Sequence, residues 1–198
     1  MTTTFERTAR ERILTALAEA VARDGYANAK IQEVARDAHV SLRTFYAEFT
    51  GKEQAFLELQ QRALDGLANA VESTVTFQSP WRDEIRAGFN VYFRLLTARP
   101  RLTAAITHEL VNLSPEAHAA RQWARERFAT MLTGLVDAGR AHYPEIPSRS
   151  LSPLLAYGVL GAILELVTSE MVDSSPEGID ELVEAGTDIL WSIITNVD

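Results

Sequence analysis

The sequence contains no cysteine, which excludes disulfide bonds and thiolate chemistry. It has no apolar segment at its N-terminus of the kind that directs secretion. Its longest apolar run, residues 154–167, is 14 residues long, contains Glu165 and is short for a membrane span. These absences predict a soluble, cytoplasmic protein with no membrane partner.

The sequence also lacks an excess of positive charge. Its 198 residues carry 19 basic and 27 acidic side chains, for a formal net charge of −8. The acidity lies mainly beyond residue 60, because residues 1–60 hold 8 basic and 9 acidic side chains. A nucleic-acid partner is therefore not excluded, but its binding would rely on groove contacts and on a dimer rather than on bulk charge.

No strand pattern, internal repeat or low-complexity segment is present. Apolar residues instead recur at helical spacing between proline and glycine breaks, and 46 % hydrophobic residues suffice for a core. The sequence predicts an all-α protein of about nine helices. Helix 1 is expected at about residues 6–23, two short helices at 31–48, and helices 4 to 9 at about residues 52–74, 80–98, 100–113, 115–142, 152–172 and 176–196.

The stretch Ile31–Lys52 contains the most specific pattern in the chain. It predicts two short helices around a turn at His39, a residue type that tolerates positive φ better than most. Ser41 is a good N-cap for the second of these helices, on which Phe45 and Phe49 face inward. The opposite face is short and able to form hydrogen bonds, as a helix that enters a DNA major groove requires.

Fifteen positions within residues 8–57 agree in type and spacing with one known module. They are Gly25, Tyr26, Ile31, Val34, Ala35, Ala38, His39, Val40, Ser41, Thr44, Phe45, Tyr46, Phe49, Lys52 and Glu53. In these residues the sequence resembles the DNA-binding module of TetR-family transcriptional regulators. We therefore expect a three-helix helix-turn-helix DNA-binding domain over residues 1–51 and a helical bundle for ligand binding and dimerisation over residues 52–198.

Some positions depart from the family pattern. Ala29 and Lys30 stand where a capping Ser or Thr is common, so Asn28 is expected to cap the second helix. Gly51 replaces a usual Ser or Asp, but glycine is an acceptable N-cap. Glu48 stands near the expected phosphates, where its carboxylate would be repelled, so we exclude it from the DNA contacts.

The exposed face of the recognition helix supplies the candidate DNA contacts. Arg43 is the expected base contact, to guanine, while Leu42 and Ala47 could touch a thymine methyl group. The start of a helix at Lys52 also favours an anion, because its backbone N–H groups are free. The expected phosphate contacts are Lys30, Ser41, Thr44, Tyr46 and Lys52.

Helices 5–7 carry many large apolar side chains for a thin bundle, although each one taken singly is more simply a core residue. The family resemblance implies a cavity among them for an apolar or aromatic small molecule. The candidate lining residues are Phe89, Tyr92, Phe93, Leu96, His108, Trp123, Phe128, Met131 and Tyr157. We expect no metal or cofactor, because Asn112 stands where the second histidine of an HExxH zinc motif beginning at His108 would be.

Helix 8 is apolar on nearly all sides between Leu154 and Val167, and helix 9 has a broad apolar stripe. One subunit cannot easily bury both, so we expect a homodimer through helices 8 and 9. Such a dimer would bind a near-palindromic double-stranded operator.

The sequence therefore predicts a sequence-specific DNA-binding transcriptional regulator, a repressor released by an apolar or aromatic small-molecule effector, and not an enzyme. Two alternatives stay open. One is a helical regulator controlled by a protein partner, and the other is a ligand-binding bundle that does not bind DNA. Glu48 and the low positive charge lean slightly towards the second.

Overall fold

The structure is a computed structural model that describes the backbone of residues 8–109, 114–170 and 176–196, and the side chains of residues 8–107, 114–167 and 178–196. Within these ranges every regular element is helical. The nine α-helices are α1 Ala9–Asp24, α2 Ile31–Asp37, α3 Leu42–Glu48, α4 Lys52–Thr74, α5 Trp81–Thr97, α6 Pro100–Ala104, α7 Pro115–His142, α8 Pro153–Glu170 and α9 Pro176–Thr195. The predicted all-α class, with a helix-turn-helix followed by a helical bundle, is confirmed.

The predicted sixth helix is the one whose form differs from expectation. It is α-helical only from Pro100 to Ala104 and continues as a π-helical turn, Ala105–Glu109. Side-chain donors reach the carbonyl groups around this turn. The amide of Gln60 donates to the Ile106 carbonyl at 2.9 Å, and the Thr107 hydroxyl donates to the Thr103 carbonyl at 2.8 Å. Such side-chain bonds compete with the regular helical ladder. The remainder of the predicted helix, residues 110–113, lies outside the described residues.

Local signals set the helix ends of the N-terminal part. Thr8 and Glu11 form a reciprocal capping box at the start of α1, and Gly25 follows its end at a φ of 80°. The turn between α2 and α3 places His39 at a φ of 53°, as predicted. Ser41 caps α3 by accepting the Thr44 backbone N–H at 3.0 Å, as predicted.

The expected cap of α2 is wrong. Asn28 donates its side-chain amide to the Asp24 carbonyl at 3.0 Å and so bonds to the end of α1 instead. The N-cap position of α2 is held by Lys30, which makes no side-chain capping hydrogen bond. Asn28 lies two residues before that position, within the turn that follows Gly25, where its amide group donates to α1 and its oxygen does not cap α2.

The chain folds into two compact units. The first contains the described residues up to Ala63 together with Arg99–Ala120, and the second contains Leu64–Ala98 and the described residues from Arg121 onward. The first unit therefore extends beyond the expected boundary at residues 51 and 52. The physical reason is a shared core, because Leu102, Ala105 and Ala117 are buried in the same cluster as the apolar face of α1. α4 and α7 each supply residues to both units.

A buried carboxylate organises the loop between α4 and α5. Glu84, in the first turns of α5, accepts the backbone N–H groups of Thr76 at 2.8 Å and of Gln78 and Ser79 at 2.9 Å each. Desolvation alone would raise the pKa of Glu84, but these backbone donors outweigh it and hold the pKa below its ordinary value.

We expect Glu84→Gln to lower the free energy of unfolding by about 1–3 kcal/mol at neutral pH. The NH2 group of glutamine would replace one carboxylate oxygen and would face backbone N–H groups that then have no acceptor. The folded-state pKa lies below the unfolded value, so the wild-type carboxylate stabilises the fold at higher pH. That contribution is lost as the pH falls through the folded-state pKa. Urea denaturation between pH 3 and pH 7 measures both effects.

The variant should therefore lose less stability on acidification than the wild type. Glu126→Gln is the matched control, since Glu126 is exposed on α7 and accepts one hydrogen bond from Gln122 at 2.8 Å. A Glu84→Gln protein with wild-type stability at pH 7 would contradict the anchoring role.

Candidate DNA interface and ligand cavity

The first unit presents α3 on a small aromatic core. Phe45 and Phe49, one turn apart on α3 and at its end, are each 1 % exposed, and their rings lie 5.9 Å apart. α2 contributes Val34 and Ala35 to the same cluster. Because the inward side of α3 is fixed in this way, its other side is held towards solvent as a stiff surface.

The predicted groove contacts lie together on the outward side of α3. Leu42 is 42 % exposed, Tyr46 is 55 % exposed, and Arg43 and Ala47 are also exposed. Within the described part of the chain, Arg43 forms no hydrogen bond or ion pair. Its guanidinium group is therefore available to a ligand that offers paired acceptors, such as the edge of a guanine base.

The predicted phosphate contacts have different surroundings. The hydroxyl groups of Ser41 and Thr44 are 2.8 Å apart and hydrogen-bonded to each other. Lys30 is exposed, and its ammonium group lies 3.9 Å from the carboxylate of Glu33, which is a weak surface pair. Lys30 and Ser41 are both exposed and hold no buried contact.

Lys52 is placed differently from what the sequence suggests. Its ammonium group donates to the carbonyl oxygens of Tyr26 at 2.7 Å and Ala27 at 3.2 Å, and lies 4.4 Å from the centre of the Tyr26 ring. The Tyr26 ring in turn packs on Phe56, with ring centres 4.6 Å apart. Lys52 therefore ties the loop after α1 to the start of α4, and a phosphate contact would be an additional role.

A charged cluster beside α3 escaped the sequence reasoning. Arg10 of α1 donates through Nε to the carboxylate of Glu58 at 3.0 Å and through Nη1 to the Glu48 carbonyl at 2.8 Å. Its guanidinium group also lies 3.3 Å from the Glu48 carboxylate and 4.3 Å from the Phe49 ring centre. The hydrogen bond from Arg10 holds the pKa of Glu58 below its ordinary value. The negative charge of Glu48, expected to repel DNA, is thus opposed by an adjacent positive charge.

The second unit contains an apolar cavity of about 60 Å³. Four of the predicted pocket residues line it, namely Phe89, Tyr92, Phe128 and Met131. The sequence reasoning missed the other lining residues because they come from five helices or lie beside the predicted positions. They are Val71, Val75, Trp81, Ile85, Gly88, Leu132, Leu135, Val136, Val159, Leu160, Ile163 and Leu190.

The other predicted pocket residues lie elsewhere. Phe93 is fully buried in the core beside Phe89, with ring centres 5.8 Å apart, and Leu96 packs at the edge of the same core. Trp123 is half-buried away from the cavity lining. Tyr157 stacks under the guanidinium group of Arg125 at 5.1 Å. His108 belongs to the first unit, and its side chain is outside the described residues.

Tyr92 is the polar member of the lining with the most unusual surroundings. Its ring meets Phe93 and Phe128 edge to face, at 5.4 and 6.1 Å between ring centres. Burial raises its pKa to about 12. Among the described residues, no hydrogen bond is made to or by its hydroxyl group. The phenol is therefore neutral and unpaired at physiological pH.

The fold and the α3 surface define an all-helical protein whose first unit carries a helix-turn-helix module. Residues 13–59 match the family described as bacterial regulatory proteins, tetR family. Over these residues the resemblance inferred from the sequence is confirmed. No curated protein matches the chain. Among the described helices, none is long and apolar enough to cross a membrane.

Solved structures share the fold over nearly the whole chain. The fatty acid degradation regulator FadR from Bacillus halodurans is 20 % identical, with a TM-score of 0.75 over 93 % of this chain and 95 % of that one. FadR from Bacillus subtilis, in complex with stearoyl-CoA, is 19 % identical, with a TM-score of 0.73 over 94 % and 98 %. NemR from E. coli, in its reduced form, is 20 % identical, with a TM-score of 0.71 over 96 % and 100 %.

Proposed function

We propose that this protein is a cytoplasmic, sequence-specific DNA-binding transcriptional regulator, a repressor that an apolar or aromatic small molecule releases from its operator. The observation that carries the proposal is the exposed, unpaired guanidinium group of Arg43 on α3 of a TetR-type module. The role is binding rather than catalysis, with residues 1–51 contacting DNA and residues 52–198 serving the ligand and the dimer.

In this proposal α3 enters the major groove. Arg43 reads a guanine edge, while Leu42 and Ala47 contact thymine methyl groups. The phosphate contacts are made by Lys30, Ser41, Thr44, Tyr46 and Lys52, which surround α3 on the first unit. They would position the module without reading sequence.

We expect Arg43→Ala to cost about 1–3 kcal/mol per half-site and to relax the preference at one base position. Lys30→Ala should instead weaken binding to all DNA sequences about equally and reduce the salt slope by about one unit per contact. The measurement is a gel-shift titration on the DNA upstream of the protein's own gene, with single-base variants, at several salt concentrations. Equal behaviour of the two variants would contradict the division between reading and positioning residues.

The surface of the second unit supports a homodimer through α8 and α9. α8 exposes Leu154 at 80 %, with Gly158, Gly161 and Ala162 exposed along the same helical stripe. Apart from Glu165, which is exposed on the same stripe, this surface is apolar, and such a surface on a long helix is unusual unless a partner covers it. We propose that a second copy covers it, so that two α3 helices meet a near-palindromic operator with half-sites about one DNA turn, or a multiple, apart.

The acidic side of α9 is not available to a partner, because it forms ion pairs with α5 of the same subunit. Four ion pairs join it to α5: Arg82 to Asp188 at 2.5 Å and to Glu184 at 4.0 Å, Arg94 to Asp180 at 3.6 Å, and Arg86 to Glu184. The half-buried Ile189 and Ile193 lie on another side of α9. That side and the exposed stripe of α8 are left for the partner.

The cavity of the second unit is the proposed effector site. Its apolar lining suits an apolar molecule, and the structure of B. subtilis FadR with stearoyl-CoA shows that a protein of this fold binds an acyl compound. α4 begins at Lys52 and reaches the lining residue Val71 without interruption. We propose that ligand and operator binding are negatively coupled through this helix by about 1–3 kcal/mol, reciprocally.

A further inference from the structure

We propose that the cavity selects an uncharged ligand with a single hydrogen-bonding group, and that this group binds the hydroxyl of Tyr92. The inference rests on the proposed function, since it names the chemical class of the effector. It does not depend on DNA binding for its test.

The lining includes two polar side-chain atoms, the indole nitrogen of Trp81 and the hydroxyl oxygen of Tyr92. No lining side chain is charged. Of the polar members, Trp81 turns its indole nitrogen towards Gly139 of α7, where an added Cβ would lie only 2.3 Å from it. The hydroxyl of Tyr92 is not one of the fully buried polar atoms that lack a partner, and the residue lines the cavity. The proposal accordingly directs this hydroxyl into the cavity that the residue lines.

The same lining disfavours a charged ligand. An isolated carboxylate or ammonium group would lose its hydration and meet no counter-ion there, which is strongly unfavourable. The positive charge of Arg125 is engaged over the Tyr157 ring, which is not part of the lining. Since its pKa is raised to about 12, Tyr92 stays neutral and can donate a hydrogen bond to a hydroxyl, ether or carbonyl oxygen.

The size of the cavity sets a second limit. A volume of about 60 Å³ is less than half of the roughly 150 Å³ that holds a benzene molecule in an engineered apolar cavity. A ring-sized ligand therefore enters only if a side chain moves. Met131 is the lining residue best suited to do so, because an unbranched thioether adapts readily to new shapes. The favoured ligand is compact.

Three probes with one common ring test the proposal: toluene, benzyl alcohol and benzoate, each titrated calorimetrically into the full-length protein. We expect wild-type protein to bind toluene and benzyl alcohol, and benzoate at least tenfold more weakly than benzyl alcohol. Tyr92→Phe should weaken benzyl alcohol about 3- to 10-fold, the worth of one hydrogen bond. The same variant should leave toluene unchanged or bind it more tightly.

Matched variants distinguish loss of the cavity from general effects of the substitutions on the fold. Gly88→Leu should abolish binding of all probes, because Gly88 lines the cavity and its added side chain would start 3.4 Å from Val75. Gly66→Leu is the control for a leucine replacing a helical glycine, since nothing lies within 4 Å of a Cβ at Gly66. Tyr46→Phe controls for loss of a tyrosine hydroxyl elsewhere.

Three results would overturn the inference: benzoate bound as tightly as benzyl alcohol, equal losses of toluene and benzyl alcohol in Tyr92→Phe, or no binding of any probe at millimolar concentration. A different result would refute the proposed function. If benzyl alcohol binds through Tyr92 but leaves operator affinity unchanged, the ligand class stands and release by ligand is refuted.

Discussion

Replacing Phe45 by alanine is expected to lower the free energy of unfolding of the first unit by about 3–5 kcal/mol, because the deletion leaves a cavity that the surrounding helices cannot close. Phe45 is 1 % exposed and lies in the core that also holds Phe49 and the apolar face of α1. Its removal withdraws the support that holds α3 outward. Operator binding should therefore be lost together with stability.

Urea denaturation followed by circular dichroism measures the first effect, and gel-shift titration measures the second. The control is Tyr46→Phe, one residue further along α3 and on its exposed side. This change keeps the ring that meets Phe45 edge to face at 5.5 Å and should leave stability within about 0.5 kcal/mol of wild type. It should reduce DNA affinity only. A Phe45→Ala protein that is as stable as wild type and binds DNA normally would refute the assigned facing of α3.

A charge placed on the exposed stripe of α8 should have the next largest effect. Ala162→Glu would bury an unpaired carboxylate at the proposed dimer interface, which is strongly unfavourable. The protein should then sediment as a monomer at micromolar concentration. Its operator affinity should fall by about 10²- to 10⁴-fold, because two linked half-site contacts become separate events.

Ala138→Glu provides the comparison, since Ala138 is exposed on α7 of the same unit and lies outside the stripe. That variant should remain dimeric. Analytical ultracentrifugation of the two variants and the wild type decides the matter. A wild-type protein that is monomeric at micromolar concentration, or an Ala162→Glu protein that stays dimeric, would end the proposal of an α8–α9 dimer.

The parts of the structure that sequence reasoning reached are those governed by neighbouring residues. The cap formed by Ser41, the positive φ of His39 and the inward side of Phe45 each follow from a window of a few residues. They agree with one another, which is why the helix-turn-helix was predictable. The predicted cap of α2 was wrong on the same scale, because the Asn28 side chain could either accept a backbone N–H of α2 or donate to a carbonyl of α1, and it does the second.

The cavity could be predicted only in part, because helical periodicity shows which side of a helix faces inward but not which helices it meets. Phe89 and Tyr92 were found, whereas Val71, Val75 and Leu190 come from helices distant in sequence. Trp123 and Leu96 have the same spacing and hydrophobicity as true lining residues. The position of Lys52 against Tyr26 was equally hidden, since 26 residues separate the two.

The shared core of the first unit has a practical consequence for hybrid regulators. Transplanting only residues 1–51, or even 1–63, onto a foreign sensor would leave the apolar face of α1 without Leu102, Ala105 and Ala117. It would also strand the amide of Gln60 without the Ile106 carbonyl. A working graft must carry residues 99–120 as a second, separate piece. The first unit is therefore encoded by two separate segments of the sequence, and recombination at a single point cannot transfer both segments without also transferring the residues between them.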